Sequence, residues 1–294
     1  MRVAVAMEIM NDYYADLHAH TTASDGTLTP TELVRAARAA GLGLLAVTDH
    51  DTTAGVPEAQ AAAREAGITL VPGVELSARG EPGECHLLGL HVDPRSSALN
   101  DKLAELSENR RDRNARIAAR LTRIGVPLTL DEVTALAPEG ANLGRPHFAQ
   151  AMVARGYVRD IPEAFDCYLG DGKPGNIAKE SLAPHEAIEL IHAAGGLCFL
   201  AHPGLLKLHA HLTDEGFIER LKGFGLDGIE AYYSKYSPAQ TERFLRMARK
   251  HGLLVTGGSD FHGANKPDTP LGAVIDGARL PATLLPAALT FPRN

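Results

Sequence analysis

Two histidines stand two residues apart in Ala15-Asp16-Leu17-His18-Ala19-His20, the densest stretch of chemistry in the chain. On an extended strand, residues i and i+2 face the same side, so both imidazoles reach one metal ion. Asp25 follows five residues later, on a turn marked by Gly26, and its carboxylate turns back towards the same place. Such a mixture of nitrogen and oxygen ligands suits borderline divalent metals. A His-x-His pair standing alone would carry little weight. Here the same residue types recur at the same structural place.

That place is the end of a strand. Leu44-Leu45-Ala46-Val47-Thr48 is a continuously apolar strand of the kind buried in parallel sheets, and it runs into Asp49-His50-Asp51. Further strands are predicted over 68–71, running into Pro72-Gly73-Val74-Glu75, and over 85–90, carrying His86. Three more fall at 197–200 before Ala201-His202-Pro203, at 228–232, and at 253–256 before Gly257-Gly258-Ser259-Asp260-Phe261-His262. Helices alternate with them, over 30–41, 57–66, 184–194, 214–224 and 238–251. The first has Thr29 as N-cap, Pro30 at its first position and Glu32 at its third. Counting the His18 strand, this gives seven strands, one short of an eight-stranded barrel, with the site expected where the carboxyl ends converge. His86 lies near the start of its strand, so that strand begins earlier or runs in reverse.

Six of the thirteen histidines fall at strand ends. His185, His192 and His251 sit on helices and read as surface residues; His91, His209 and His211 are left unassigned. Together His18, His20, Asp25, His50, Glu75, His86, His202, Asp260 and His262 are too many ligands for one ion. With Glu75 bridging they fill two or three divalent sites and leave room for water and substrate. Mn²⁺, Fe²⁺ or Zn²⁺ all suit this set, with Mn²⁺ favoured.

Between about residues 93 and 179 the strand signal vanishes. A long charged helix over 100–124 carries Arg110, Arg111, Arg113, Arg116, Arg120 and Arg123, expected to form a solvated face. Helices follow over 129–137, 146–155 and 162–169. The expected organisation is a barrel part at 1–95, an inserted helical cap domain at 96–180 and a second barrel part at 181–294. Residues 1–10 read as a disordered lead-in or an extra edge strand rather than a signal peptide. The tail beyond Gly263 yields no clear element.

Lys+Arg 29 against Asp+Glu 36 leaves a net charge of −7, which gives no basic footprint for duplex nucleic acid. No stretch approaches a membrane span. Three unevenly placed cysteines, Cys85, Cys167 and Cys198, suit a reducing cytoplasm. Nothing in the sequence fixes whether the protein is a monomer or a small homo-oligomer.

The stretches Asp16-Leu17-His18-Ala19-His20, Ser24-Asp25-Gly26, Thr48-Asp49-His50-Asp51, Pro72-Gly73-Val74-Glu75, Cys85-His86-Leu87-Leu88-Gly89, Ala201-His202-Pro203 and Gly258-Ser259-Asp260-Phe261-His262 run through nearly the whole chain outside the insertion. In this order they resemble the polymerase-and-histidinol-phosphatase (PHP) family of metal-dependent phosphoesterases. The resemblance implies an α/β fold, a distorted (β/α)7 TIM-like barrel with an inserted cap, and a trinuclear metal centre. It implies that His18, His20, Glu75 and Asp260 hold one ion, Glu75, His86 and His202 a second, and Asp25, His50 and His262 a third. Glu75, Asp260 and His202 are expected to matter most to catalysis.

The insertion resembles the cap of a subgroup that removes phosphate from nucleotides, nucleoside 3′,5′-bisphosphates included. Its Gly144-Arg145-Pro146-His147 puts Arg145 just before a helix start, where guanidinium and helix N-terminus both attract phosphate. His147 and Lys173 are further expected substrate contacts. Tyr236 stands where many relatives have a histidine, which bears on substrate contacts. The implied activity is hydrolysis of a nucleotide phosphomonoester, with a hydroxide shared between two ions attacking phosphorus. Alternatives are a 5′→3′ exonuclease on short RNA using the same centre and, from another class, a regulatory module that binds nucleotide without cleaving it. A related C–N hydrolase ranks last.

Overall fold

The structure is a computed structural model that describes residues 13–80, 83–137, 143–178, 180–206, 213–275 and 277–290. The lead-in at 1–10, His209 and His211 lie outside the described residues. Seven strands carry the site: β1 (Tyr14–Asp16), β2 (Leu42–Val47), β3 (Thr69–Gly80), β4 (Gly83–Leu90), β5 (Leu197–Leu200), β6 (Gly228–Tyr233) and β7 (Leu254–Gly258). Helices α1 (Pro30–Ala39) and α2 (Val56–Ala66) cover the first of them. Thr29 and Glu32 form the expected capping box on α1, and Gly67 ends α2 in the left-handed conformation.

The strands lie in the order β7-β6-β5-β4-β3-β2-β1. The ring closes where Leu17 N donates to Gly257 O (3.0 Å), Asp260 N to His18 O (2.8 Å) and His20 N to Phe261 O (2.9 Å). At this seam a Cβ on Gly258 would lie 2.3 Å from His18 Cβ, so only glycine permits the approach. Leu44 and Ala46 of β2 pack inwards with Leu88, Leu90 and Phe199, while Leu42, Leu45 and Val47 pack against α1 and α2. Both faces are buried, which is why the strands read as unbroken apolar runs.

The sheet is not parallel throughout. β3 runs to twelve residues and turns into β4, which pairs antiparallel with both β3 and β5. Both possibilities raised for His86 hold: its strand begins earlier, at Gly83, and it runs in reverse. A reversed strand brings its beginning to the mouth where the others end. His86 therefore joins their ends, held by Ala201 N donating to His86 O at 3.0 Å.

Helix α3 (Ser97–Arg123) leads the insertion, followed by α4 (Leu130–Ala135), α5 (Arg145–Ala154) and α6 (Ile161–Ala164). The single helix expected over 162–169 is instead α6 and a wide π-turn over Phe165–Leu169, closed by Gly170 N donating to Phe165 O at 2.8 Å. Leu99, Leu103 and Leu106 of α3 pack into the barrel's core. Farther along, Ile117 and Leu121 pack into a separate core with Phe148, Met152 and Leu169. The arginines of α3 are not uniformly solvated. Arg113 is buried and donates to Ile177 O (2.7 Å), and Arg110 pairs with buried Asp51. The helix spans a junction, so part of its charged side faces protein.

The chain rejoins the barrel where Arg79 N donates to Leu182 O at 2.8 Å. It continues through α7 (Pro184–Ala193), α8 (Asp214–Gly223) and α9 (Pro238–His251). His251 is buried rather than exposed and meets Glu215 at 2.9 Å, because α8 packs across it. The tail is structured too: β8 (Ala273–Ile275), β9 (Ala278–Pro281) and α10 (Ala287–Thr290) follow, and β9 pairs antiparallel with β1. Leu280, Leu285 and Leu289 join the inner barrel cluster. Among the described residues no helix is long and apolar enough to cross a membrane.

Candidate metal centre

Glu75 is the hub. The residue is fully buried where β3 passes the end of β2, with Glu75 N donating to Asp49 O at 3.2 Å. Its Oε1 lies 2.9 Å from His86 Nδ1 and 3.0 Å from His202 Nε2. Its Oε2 lies 3.4 Å from His18 Nε2, 3.3 Å from His20 Nε2 and 3.0 Å from His50 Nδ1. Asp260 Oδ1 stands 3.6 Å from His18 Nε2 and 3.4 Å from His20 Nε2. Asp25 meets His262 Nε2 at 3.3 Å, His20 Nδ1 at 3.8 Å and His50 Nε2 at 3.9 Å. All nine ligand candidates are thus brought to one mouth.

These spacings fit ions. Two ligands about 2.1 Å from one metal are about 3.4 Å apart at a tetrahedral angle and about 3.0 Å apart at a right angle. The residues fall into overlapping sets that could each hold an ion: His18, His20 and Asp260; His18, Glu75 and His202; His50, Glu75 and His86; His20, Asp25, His50 and His262. Buried polar atoms ordinarily find hydrogen bonds. Here His18 Nε2, both ring nitrogens of His20 and Glu75 Oε2 are buried without one of normal geometry among the described residues. Orphaned donor atoms aimed at one another are what a cation would satisfy.

The charges reinforce this. Burial opposes ionisation of Asp25, Glu75 and Asp260, yet the surrounding histidines (and Lys266 beside Asp260) hold all three well below the usual carboxylate range. Burial likewise disfavours a proton on His20 and His86, but the carboxylates outweigh it and push them up to about 9 and about 10. At His50 burial wins, and its value falls to about 4. Two ligand candidates, His202 (φ 30) and Asp260 (φ 59), sit in the left-handed region. Such strain concentrates at functional sites.

Several supporting residues were not among the candidate site residues, although Asp16 and Asp49 stand inside the motif stretches. Glu230, fully buried on β6, takes His18 Nδ1 at 3.0 Å with one oxygen and accepts from His202 N at 2.7 Å with the other. Asp16 shares the strand face of His18 and accepts from Ser259 N (2.9 Å), Ser259 Oγ (2.6 Å) and Gly272 N (2.8 Å), pinning the Asp260 loop. Asp49 accepts from Thr21 N (2.7 Å) and Ser24 Oγ (2.6 Å), pinning the Asp25 loop. Tyr233 donates to Asp260 Oδ2 (2.9 Å), and Lys266 pairs with the same oxygen (2.8 Å).

A cavity of about 350 Å³ opens over Asp25, His50, His86 and His262. Arg110, Arg113, Arg145 and Lys266 line its other sides. Arg145 is the first residue of α5, and its guanidinium pairs with Asp171 at 2.9 Å and lies 5.9 Å from the Phe165 ring centroid. The other two expected substrate contacts are placed differently. His147 is buried, and its Nδ1 accepts from Gly144 N at 3.1 Å, closing the start of α5. Lys173 is exposed and is not among the residues lining the cavity. Tyr236 is buried, accepts from Gly204 N at 2.6 Å and stacks on Phe244, so this side chain serves packing.

A family model described as PHP domain matches residues 16–134. The 5′-3′ exoribonuclease Rnm of Salmonella typhimurium is 38% identical over 257 residues, covering 84% of each chain. A 3′,5′-nucleoside bisphosphate phosphatase of Chromobacterium violaceum is 35% identical over 261 residues, covering 89% of this chain and 91% of its own. Among solved structures, a protein of Bifidobacterium adolescentis assigned as a metal-dependent phosphoesterase superposes with a TM-score of 0.83. It is 37% identical and covers 93% of this chain and 94% of its own.

Proposed function

The chain belongs to the PHP-domain family, and on that premise we propose that it is a metal-dependent phosphoesterase removing a phosphate from a nucleotide such as a nucleoside 3′,5′-bisphosphate or monophosphate. The observation that carries this reading is one cavity lined both by Asp25, His50, His86 and His262, which surround the orphaned ligand atoms at Glu75, and by the guanidinium-bearing Arg110, Arg113 and Arg145. One wall holds cations and the other holds anions.

Two or three divalent ions, with Mn²⁺ favoured, would be held by His18, His20 and Asp260, by Glu75, His86 and His202, and by Asp25, His50 and His262. When bound they supply positive charge that lowers the pKa of water towards neutrality and offsets charge on the phosphoryl oxygens. Glu75 links the sites through its two oxygens, and Glu230 holds the imidazole of His18 and the backbone of His202 in place. Arg145, at the N-terminus of α5, binds phosphate oxygens with guanidinium and helix end together. Arg110 and Arg113 stand beside it and supply the charge for a second phosphate. Residues 96–180 act as a cap over a barrel built from 1–95 and 181–294. A cytoplasmic setting suits the three free thiols.

The second reading, 5′→3′ trimming of short RNA through the same centre, is favoured by the 38% identity to the Salmonella exoribonuclease. Phosphate release from adenosine 3′,5′-bisphosphate with added Mn²⁺ tests the primary one. Glu75→Gln removes the bridging charge, and activity should fall by more than the roughly 10–100-fold typical of changes just outside a metal's ligands. A Glu75→Gln protein that turns over near the normal rate with its metals bound would refute the assigned centre.

A further inference from the structure

A cavity of about 580 Å³ lies on the far side of Arg110 from the ligand candidates, between α3 and the loop that follows His50. Arg110 lines both this cavity and the one over the ligand candidates, so its side chain stands between the two. Leu103, Leu130 and Leu143 give the cavity an apolar wall. Its polar groups are largely spent on one another or on the backbone. Thr53 Oγ1 donates to Asn100 Oδ1 (3.4 Å), Asn100 Nδ2 to Pro94 O (2.9 Å) and Thr134 Oγ1 to Leu130 O (2.8 Å). Two buried atoms are left over: Arg110 Nε and Asn114 Oδ1 have no hydrogen-bond partner among the described residues. Asn114 is 1% exposed, and its amide nitrogen donates to Leu143 O at 3.0 Å, which leaves the oxygen for something else. Buried groups of this kind cost free energy until a partner meets them.

Residues 110 and 114 are one turn apart on α3, so the spare donor and the spare acceptor are neighbours. A phosphate that keeps one proton offers anionic oxygens to Arg110 and an O–H to Asn114, whereas a carboxylate offers acceptors alone. Exposed Arg111 adds positive charge, and Asp51, the one carboxylate among the described residues lining the cavity, is already paired with Arg110. We propose that this cavity is a second site, apart from the metal centre, for a phosphate monoester with a partly apolar body, and that its occupant slows turnover through Arg110. An anion against Nε competes with Asp51 for the guanidinium. Asp51 sits in the left-handed region (φ 51), donates its N–H to Glu75 O (2.9 Å) and accepts from Ser77 N (2.9 Å). It also follows His50 directly, so loosening it disturbs two ligand candidates together. The effect on rate rests on the phosphoesterase reading; the binding does not.

The test uses Mn²⁺-loaded protein and phenylphosphonate, whose P–C bond a phosphoesterase does not hydrolyse, with methylphosphonate as nearly the same head group without the body. Calorimetric titration of wild type should show a binding event that Arg111→Glu and Ala104→Trp each abolish, the first by charge and the second by filling the cavity. Both positions line the cavity and are exposed on α3, so fold and basal turnover should be kept. Methylphosphonate should give that event about tenfold more weakly, since it lacks the ring's apolar area. With adenosine 3′,5′-bisphosphate saturating, competition at the metal centre is suppressed. Phenylphosphonate should then lower the wild-type rate about fivefold and leave both variants within about twofold. No variant-sensitive event, equal affinity for the two phosphonates, or a rate change in wild type no different from that in the variants would each overturn the proposal. A variant-sensitive event in a protein that does not turn over the bisphosphate would support the site and overturn the phosphoesterase reading instead.

Discussion

Glu230 shows how much of this centre is held by residues that touch no ion. Its carboxylate spans two ligands, one through a ring nitrogen and one through a backbone N–H. Partners of this kind fix ring orientation, and losing one typically costs roughly 10–100-fold in metal affinity. Glu230→Gln keeps the shape and removes the charge, so dialysed protein should retain less metal by elemental analysis while its fold, by circular dichroism, stays unchanged. Protons compete for the same atoms. With metal stripped, His20 and His86 hold protons up to about 9 and about 10, against an ordinary value near 6.5. A raised value means stability that is complete below pH 6.5 and is lost as pH climbs through 9 to 10. The depressed carboxylates lose theirs at the other end, as pH falls below about 4. The Tm of chelator-treated protein should therefore fall between pH 7 and 10, and Mn²⁺ should remove most of that slope; a flat profile without metal would contradict the assigned charges. The clustering of the ligand candidates was legible in the sequence because most of them follow or begin an apolar run, with Asp25 on the turn after His20. Glu230 was not, since a lone acid inside such a run does not say what it faces.

At the scale of elements, barrel closure depends on the β1–β7 seam, and the seam depends on glycine. A methyl group at Gly258 would meet His18 Cβ at 2.3 Å. Gly258→Ala should cost about 1–3 kcal/mol, as overpacking usually does, and lower the Tm by several degrees in a thermal melt. It should also lower metal retention, because the displaced residue is itself a ligand candidate. The order of elements was readable from strand–helix alternation and caps such as Thr29-Pro30-Thr31-Glu32. The direction of β4 was not, because a strand's sequence has no arrow. Only the position of His86 hinted at it, and the hairpin with β3 resolves it. Residues 273–290 escaped notice because short strands and turns rich in Pro and Leu lack periodicity.

Across the whole molecule, polar ties around the cavity mouth join the insertion to the barrel, in addition to the leucines of α3. Gln150 of α5 donates to Asn265 Oδ1 at 2.7 Å, and Asn265 donates in turn to Asp25 O at 2.7 Å. On the opposite side Arg110 reaches Asp51, next to His50. Each tie ends on or beside a ligand candidate, Asp25 or His50, so the placement of the insertion and of these residues is shared. Asn265→Ala should speed amide hydrogen exchange in α5 and α6 and raise KM for nucleotide, with melting temperature little changed; unaltered exchange would show that the tie does not hold the insertion. The buried faces of Arg110 and Arg113 could not be read from a helix that is charged on most of its circumference. Which side meets protein is decided by what packs across it.

Helix α3 belongs to two cores at once, its leucines at 99, 103 and 106 in one and Ile117 and Leu121 in the other. Anyone exchanging the inserted module between relatives should therefore splice inside that helix, between Leu106 and Ile117 and in turn register, and return just before Leu182. Chimeras cut at the loop preceding Ser97 would transplant half of the host's own interior along with the guest.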